Sequence, residues 1–372
     1  MIVSFIIPAY NAADTIERCL NSIYALSLKR DEFEVIVVDD CSSDKTVNVI
    51  EQYRKKELGN EGVSELGNTA NRSSLIANRN GSSNLTLLRQ PENHRQGAAR
   101  NRGVLVAKGV YICFVDADDA VTEGVVEAIR MAKEKAADMV PYHLAYSDEK
   151  GNITREEVHL SYQPGEMFTG IQMQNKHPYW LSGPVAYIYN RAFLERVNYP
   201  FAEDVLYEDS DFVVVHLYHA IHMFYSAELG YIVYYREGST TRSVNHKNVA
   251  DYLILGTRMM AFYERVKSER LTNERVNELE NEGVNAFAEG ILEGACWNVE
   301  RSCRRLIKLG SIKEVRAYYD RVDTYTDRSS IVANKHYRSY YWNGWTGLCL
   351  VYRELNIVLL TVLIPIYRFL KR

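Results

Sequence analysis

The chain has 372 residues, 47% hydrophobic and 25% charged, the balance of a folded protein rather than a disordered or fibrous one. Its 44 basic and 48 acidic residues leave a net charge of −4, so no global basic field points to nucleic acid. Six cysteines without a CxxC pair or regular spacing read as reduced thiols.

The first half alternates strand and helix patterns. "IVSFIIPAY" is a short apolar run closed by Pro8, so a strand is predicted to end near there. "DTIERCLNSIYAL" places Ile16, Leu20, Ile23 and Leu26 on one helical stripe. "FEVIVVDDCSSDKT" is a second buried strand ending in Asp39 and Asp40, and Asp44 is positioned to cap a helix through "TVNVIEQYRKK". "NLTLLRQ" predicts a third strand, and "QGAARNRGVLVAKG" a helix stopping at Gly109. "VYICFVDADD" predicts a fourth strand, "TEGVVEAIRMAKEKA" its helix, and "DMVPYHLAYS" a fifth strand.

Between Glu57 and Asn84 the chain is polar and rich in Asn, Gly and Ser, and reads as a loop leaving the sheet. From about residue 246 the pattern turns helical and charged to the end of the chain. The tail, residues 346–372, carries an apolar run from Ile357 to Tyr367 flanked by Arg353, Arg368, Lys371 and Arg372. That run is shorter than the ~20 residues that span a bilayer. It suits a membrane interface, the alternative being a last helix docked on the protein itself. With "MIVSFIIPAYN" lacking the basic region of a secretory signal, the expected location is cytoplasmic, peripheral on the inner face of the cell membrane if the tail binds there.

Continuous apolar strands, each followed by a helix, imply an α/β fold with a mostly parallel sheet covered on both faces. In such sheets ligands bind at the carboxyl ends of the strands. Tyr10–Asn11, Asp39–Asp40 and Asp116–Asp119 all lie at such ends. Asp116, Asp118 and Asp119 repel one another unless a cation sits among them. A hard divalent ion, Mg²⁺ or Mn²⁺, takes one or two carboxylates and completes its shell with substrate phosphates. His216, His219 and His222 recur every three residues in one predicted helix, which reads as a zinc site or as a mixed Tyr/His interior face. P-loop and dinucleotide-type glycine loops are absent.

Four segments in order, "IIPAYNAADTIERCLNSI", "VIVVDDCSSDKT", "GAARNRGVLVAKGVYICFVDADD" and "YEDSDFVVVHLYHA", resemble the family 2 glycosyltransferases with their GT-A fold. The resemblance covers residues 1–245, with 145–245 as the acceptor-side half and 246–372 as a helical C-terminal region. It implies that Pro8, Ala9 and Tyr10 line the nucleotide base and that Asp40 accepts the imide N–H of uracil, which makes UDP the carrier. It implies that Gly97–Arg100 lie near ribose and phosphates, with Arg100 offsetting negative charge. Asp116 would hold ribose or sugar hydroxyls and Asp118 the Mn²⁺ or Mg²⁺, with Asp119 either a second metal contact or an orienting group.

Glu208 and Asp209 match the family's "ED" pair, with Asp209 at the position of the base. One base and no enzyme nucleophile imply a single in-line displacement with inversion. Arg236 and Arg242 stand where a contact to the diphosphate is implied, or equally a surface role. The chain departs from many relatives at "SGPVAYIYNRAFL", so Trp180 and Gly183–Pro184 fall where selectivity would be set. The expected activity is transfer from a UDP-sugar to a glycan or lipid-linked acceptor in cell-surface polysaccharide synthesis. The alternative is an inactive nucleotide- or glycan-binding subunit of the same fold. A DxD phosphohydrolase fits less well, because its motif follows the first strand and here it follows the fourth.

Overall fold

The structure is a computed structural model that describes residues 1–57, 84–148, 150–156, 160–163, 165–177, 183–235, 246–272, 283–288 and 290–291. The polar stretch 58–83, Trp180, Arg236, Arg242 and the tail 346–372 lie outside the described residues.

In chain order the elements are β1 (Val3–Ala9), α1 (Ile16–Tyr24), β2 (Phe33–Asp39), α2 (Thr46–Glu57), β3 (Leu85–Arg89) and α3 (Arg95–Val106). Then come β4 (Tyr111–Phe114), β5 (Ala120–Val121), α4 (Gly124–Lys135), β6 (Met139–Pro141), β7 (His143–Ser147), β8 (Ile153–Glu156) and α5 (Gly170–Lys176). β9 (Tyr187–Asn190), α6 (Arg191–Val197), α7 (Asp209–His219), β10 (Leu229–Tyr234) and α8 (His246–Thr272) follow. The chain folds as two compact units, one of Met1–Met167, Pro184–Asn198 and Ile221–Tyr235. The other holds Phe168–Gly183, Tyr199–Ala220 and the described residues beyond 236.

The first unit has a six-stranded sheet in the order β3-β2-β1-β4-β9-β6 and a four-stranded sheet in the order β5-β10-β7-β8. β3, β2, β1 and β4 run parallel, and β9 runs antiparallel to both β4 and β6. β1 and β2 are buried along their whole length, as their apolar runs require in a sheet covered on both faces. The chain leaves β1 for β2 on one side and returns to β4 on the other, so a crevice opens at their carboxyl ends.

β1 continues through Pro8 and ends at Ala9, near the expected place. Tyr111 and Val115 donate to Ile2 and Ile6, so the even residues of β1 face β4. β4 has ended at Phe114 where Pro8 lacks its N–H, and no ladder bond is lost there.

α3 stops at Val106, short of the expected Gly109, because Ala107 turns extended. The next amides go elsewhere: Lys108 N–H donates to Glu34 at 2.6 Å, and Gly109 N–H to Ser4 Oγ at 2.8 Å. Ser4 Oγ–H in turn donates to Glu34 at 2.6 Å, which satisfies a polar knot inside the sheet. Gly109 is a close-approach glycine: a Cβ there would stand 2.5 Å from the Ser4 nitrogen. The expected fifth strand is two strands in two sheets, parted at the fully buried Tyr142, whose hydroxyl donates to the Val185 carbonyl.

In the second unit α5 meets α7 and α7 meets α8. Residues 283–288 and 290–291 are also helical, so the described part of the C-terminal region has the expected character. Among the described residues no helix is long and apolar enough to cross a membrane.

Candidate active site

At the end of β2, Asp40 N–H donates to the Ala9 carbonyl at 2.8 Å, tying the ends of β1 and β2 together. The Asp40 side chain is buried and accepts from Gln90 Nε2 at 2.7 Å and His94 N–H at 2.8 Å. Burial pushes its carboxyl up, while these donors and the Arg95 amide pull the other way. Asp39 is fully buried, accepts from the Ser42 amide at 3.3 Å and pairs with Arg89 Nε at 3.6 Å.

At the end of β1, Pro8 and Ala9 are buried and Tyr10 is half exposed. Asn11 takes a left-handed conformation with φ 48°, as do Cys41 (φ 63°) after β2 and Arg95 (φ 69°) opening α3. Non-glycine residues of this kind gather at functional sites because neighbours must hold them there. For Asn11 the holding contacts are its Oδ1, which accepts from Ser43 N–H at 2.9 Å, and its own N–H, which donates to Ser42 Oγ at 2.9 Å. Asp44 accepts the Thr46 amide at 2.9 Å and the Ala13 amide at 3.1 Å, so the expected cap also joins the two strand ends.

Behind the crevice, α3 presents Gly97, Ala98, Ala99 and Gly103 to the sheet. A Cβ on Gly103 would lie 2.3 Å from Ile6, so the small residues let the helix sit close. That closeness buries Arg100, whose Nη2 donates to Asp116 Oδ1 at 2.8 Å and to Gln96 Oε1 at 3.1 Å.

The acids after β4 form a turn, with Asp119 N–H donating to the Asp116 carbonyl at 3.1 Å. Asp116 N–H donates to Tyr231 Oη at 3.0 Å. Asp118 is half-buried, and its carbonyl accepts from Arg18, whose guanidinium lies 3.8 Å over the Tyr234 ring. Asp119 is buried, and both its oxygens are taken by β10: Tyr231 Oη–H donates at 2.9 Å and Tyr234 N–H at 2.8 Å. Burial, then the charges of Asp116 and Asp118, push the Asp119 carboxyl well up. These hydrogen bonds hold the Asp119 carboxylate against β10.

Among the described residues no three His, Cys, Asp or Glu side chains are grouped to hold a metal. α7 ends at His219, so His222 is not on the helix of the other two histidines, and His216 is buried with Nδ1–H on the Phe212 carbonyl at 2.7 Å. The donor set at the acid turn, a half-buried Asp118 beside an Asp116 engaged by Arg100, fits an ion that takes few protein oxygens and several phosphate ones.

In the second unit, Glu208 is buried and Asp209 opens α7 with Asp211 in the same turn. The helix N-terminus favours carboxylates there. A Cβ on Gly183 would come within 3.1 Å of Asp209 Oδ2, so the glycine backbone lies close to that carboxylate. Asp211 is fully buried, bonded by Tyr199 Oη–H at 2.8 Å and by Arg258 Nε.

Of the expected residues, the first unit brings Pro8, Ala9, Tyr10, Asp40, Arg100, Asp116, Asp118 and Asp119 to one end of its parallel sheet. Glu208 and Asp209 belong to the second unit, and Arg236 lies outside the described residues. Gln90, His94, Arg18, Tyr231 and Tyr234 were not anticipated. The polar run Gln90–His94 directly after the third strand was a usable signal for the first two.

The model of "Glycosyl transferase family 2" matches residues 4–197, just over half of the chain. The chain is 31% identical over 140 residues to the poly(ribitol-phosphate) beta-glucosyltransferase of Bacillus spizizenii, covering 37% of this chain and 18% of that protein. It is 28% identical over 217 residues to the uncharacterized glycosyltransferase EpsJ of Bacillus subtilis, covering 57% and 54%. The chain thus spans about half or less of the length of these relatives. The crystal structure of Staphylococcus aureus TarS 1–349 in complex with UDP-GlcNAc shares the fold, with TM-score 0.57 and 21% identity over 99% of this chain and 92% of that one. That likeness bears out the expected GT-A architecture. The chain belongs to glycosyl transferase family 2.

Proposed function

We propose that the protein transfers a hexosyl or N-acetylhexosaminyl group from a UDP-sugar to a hydroxyl of a glycan or lipid-linked acceptor, in cell-surface polysaccharide synthesis. The observation that carries this reading is the gathering of Asp40, the Arg100–Asp116 pair and the Asp118 turn at the carboxyl ends of β2, β1 and β4. The similar proteins lend support: one is named for glucosyl transfer to poly(ribitol-phosphate), and the TarS structure contains UDP-GlcNAc.

Tyr10 offers a half-exposed ring for the base to lie against, with Pro8 and Ala9 behind it. Asp40, held by Gln90 and the His94 amide, accepts the imide N–H of uracil; cytosine presents an acceptor there and is refused. Arg100 fixes Asp116 by one oxygen and leaves the other for a ribose or sugar hydroxyl. Asp118, with phosphate oxygens, would hold Mn²⁺ or Mg²⁺, and the ion when bound neutralises charge on the departing diphosphate. Asp119 orients this turn through β10. Asp209 takes the proton of the acceptor hydroxyl, with Glu208 beside it, and a single displacement inverts the anomeric carbon. Arg236 would contact the diphosphate. The tail 346–372 would hold the protein at the membrane surface, and its deletion is expected to release the protein from vesicles of anionic lipid; undiminished binding would end that part of the reading.

The test is UDP release from UDP-glucose and UDP-GlcNAc, with glycan acceptors, by wild type and Asp209→Asn. Loss of turnover by about 10²–10⁴-fold with UDP binding kept is the expected result. Undiminished turnover would remove Asp209 from the reaction. Binding without turnover in the wild type would favour a binding subunit.

A further inference from the structure

Tyr231 lies in the middle of β10, more than a hundred residues from the acid turn in sequence, and is fully buried. Its hydroxyl accepts the Asp116 amide at 3.0 Å and donates to Asp119 Oδ2 at 2.9 Å. One oxygen thus bridges the first and last acids of Asp-Ala-Asp-Asp, and Asp118 lies on the turn between them. The other Asp119 oxygen is held by Tyr234 N–H, three residues along the same strand. From outside, Arg18 grips the Asp118 carbonyl and stacks on the Tyr234 ring. β10 is in turn anchored on both edges, by β5 directly after the acid turn and by β7.

We propose that Tyr231 is a positioning residue for the cation site, holding the backbone of the acid turn so that Asp118 meets the ion at a fixed angle. This rests on the reading that Asp118 and a diphosphate share a divalent cation. Three mutually repelling carboxylates would otherwise spread the turn. Tyr231 counters that spread with one donor and one acceptor, the two roles a phenol can play at once. Partners of this kind, behind a metal ligand, set its orientation and commonly change metal affinity by about 10–100-fold when removed.

The test uses the full chain and reads the factor by which saturating Mn²⁺ tightens UDP binding in calorimetry. Tyr231→Phe removes the bridging oxygen and keeps the ring; the Mn²⁺ factor is expected to fall by about tenfold or more. Asp119→Asn is expected to lower it too, because Tyr231 and Tyr234 donate to different oxygens and the amide replaces one of these acceptors with an NH2 donor. Tyr142→Phe removes another fully buried hydroxyl of the same unit, one bonded to the Val185 carbonyl and to none of the acids, and is expected to leave the factor unchanged. A wild-type factor in Tyr231→Phe would overturn the proposal, whatever Asp119→Asn shows, as would an equal loss in Tyr142→Phe, which would mark a general effect of core softening. A wild type indifferent to Mn²⁺ would overturn the cation reading itself, and this proposal with it.

Discussion

Arg100 and Asp116 form a 2.8 Å ion pair in which the guanidinium is almost wholly buried and the carboxylate keeps 28% of its surface. A charge this deep is tolerated only when paired. The pair joins α3 to the end of β4, so it serves the fold and, on the proposed reading, the nucleotide as well.

Arg100→Ala should therefore lower stability and weaken UDP binding at once. Because Asp116 is part-exposed, the expected cost is about 2–3 kcal/mol, below the ~3–5 of a fully buried pair. Denaturant midpoints with a UDP titration check it. Arg100→Lys should keep part of the stability and less of the affinity, since Nη2 alone serves both Gln96 and Asp116 and the shorter lysine sets its ammonium back from that position.

His216 gives the protein an acid limb. Burial, first of all, pushes its imidazole down from the ordinary 6.5 to about 4. The unfolded chain then takes up a proton between those values that the folded chain refuses, so stability falls as pH drops from 6.5 towards 4. The loss over that window is about 3 kcal/mol. Denaturation across pH should show this slope in the wild type and a flatter one in His216→Gln.

Asp211 has no solvent exposure and depends on Arg258 and Tyr199. Arg258→Ala strands that carboxylate and should cost about 2–4 kcal/mol, whereas Tyr199→Phe removes one neutral donor and should cost about 1. Chemical denaturation of the two variants tests the ranking, and equal costs would contradict it.

The parallel core was legible because its strands are continuous apolar runs, and the acid turn because three carboxylates close a buried strand. What stayed hidden was set by contacts distant in sequence. Gly109 resembled a helix stop, but Ser4 and Glu34 of the neighbouring strands draw off its amide and that of Lys108. The run from Met139 to Ser147 changes sheets at Tyr142, which no local pattern marks. The place of Asp40 at a strand end was legible, its donors Gln90 and His94 were marked only by the polar run after the third strand, and nothing near the acid turn announced Tyr231. Strand register, not residue type, brings those groups together.

The most direct test of the account is calorimetric titration of UDP into the full chain, with and without Mn²⁺. The account expects UDP to bind, to bind more tightly with Mn²⁺, and to lose that gain in Asp118→Asn. No binding in either condition would contradict the nucleotide reading of Tyr10, Asp40 and Arg100. Binding that ignores Mn²⁺ would contradict the role given to Asp118.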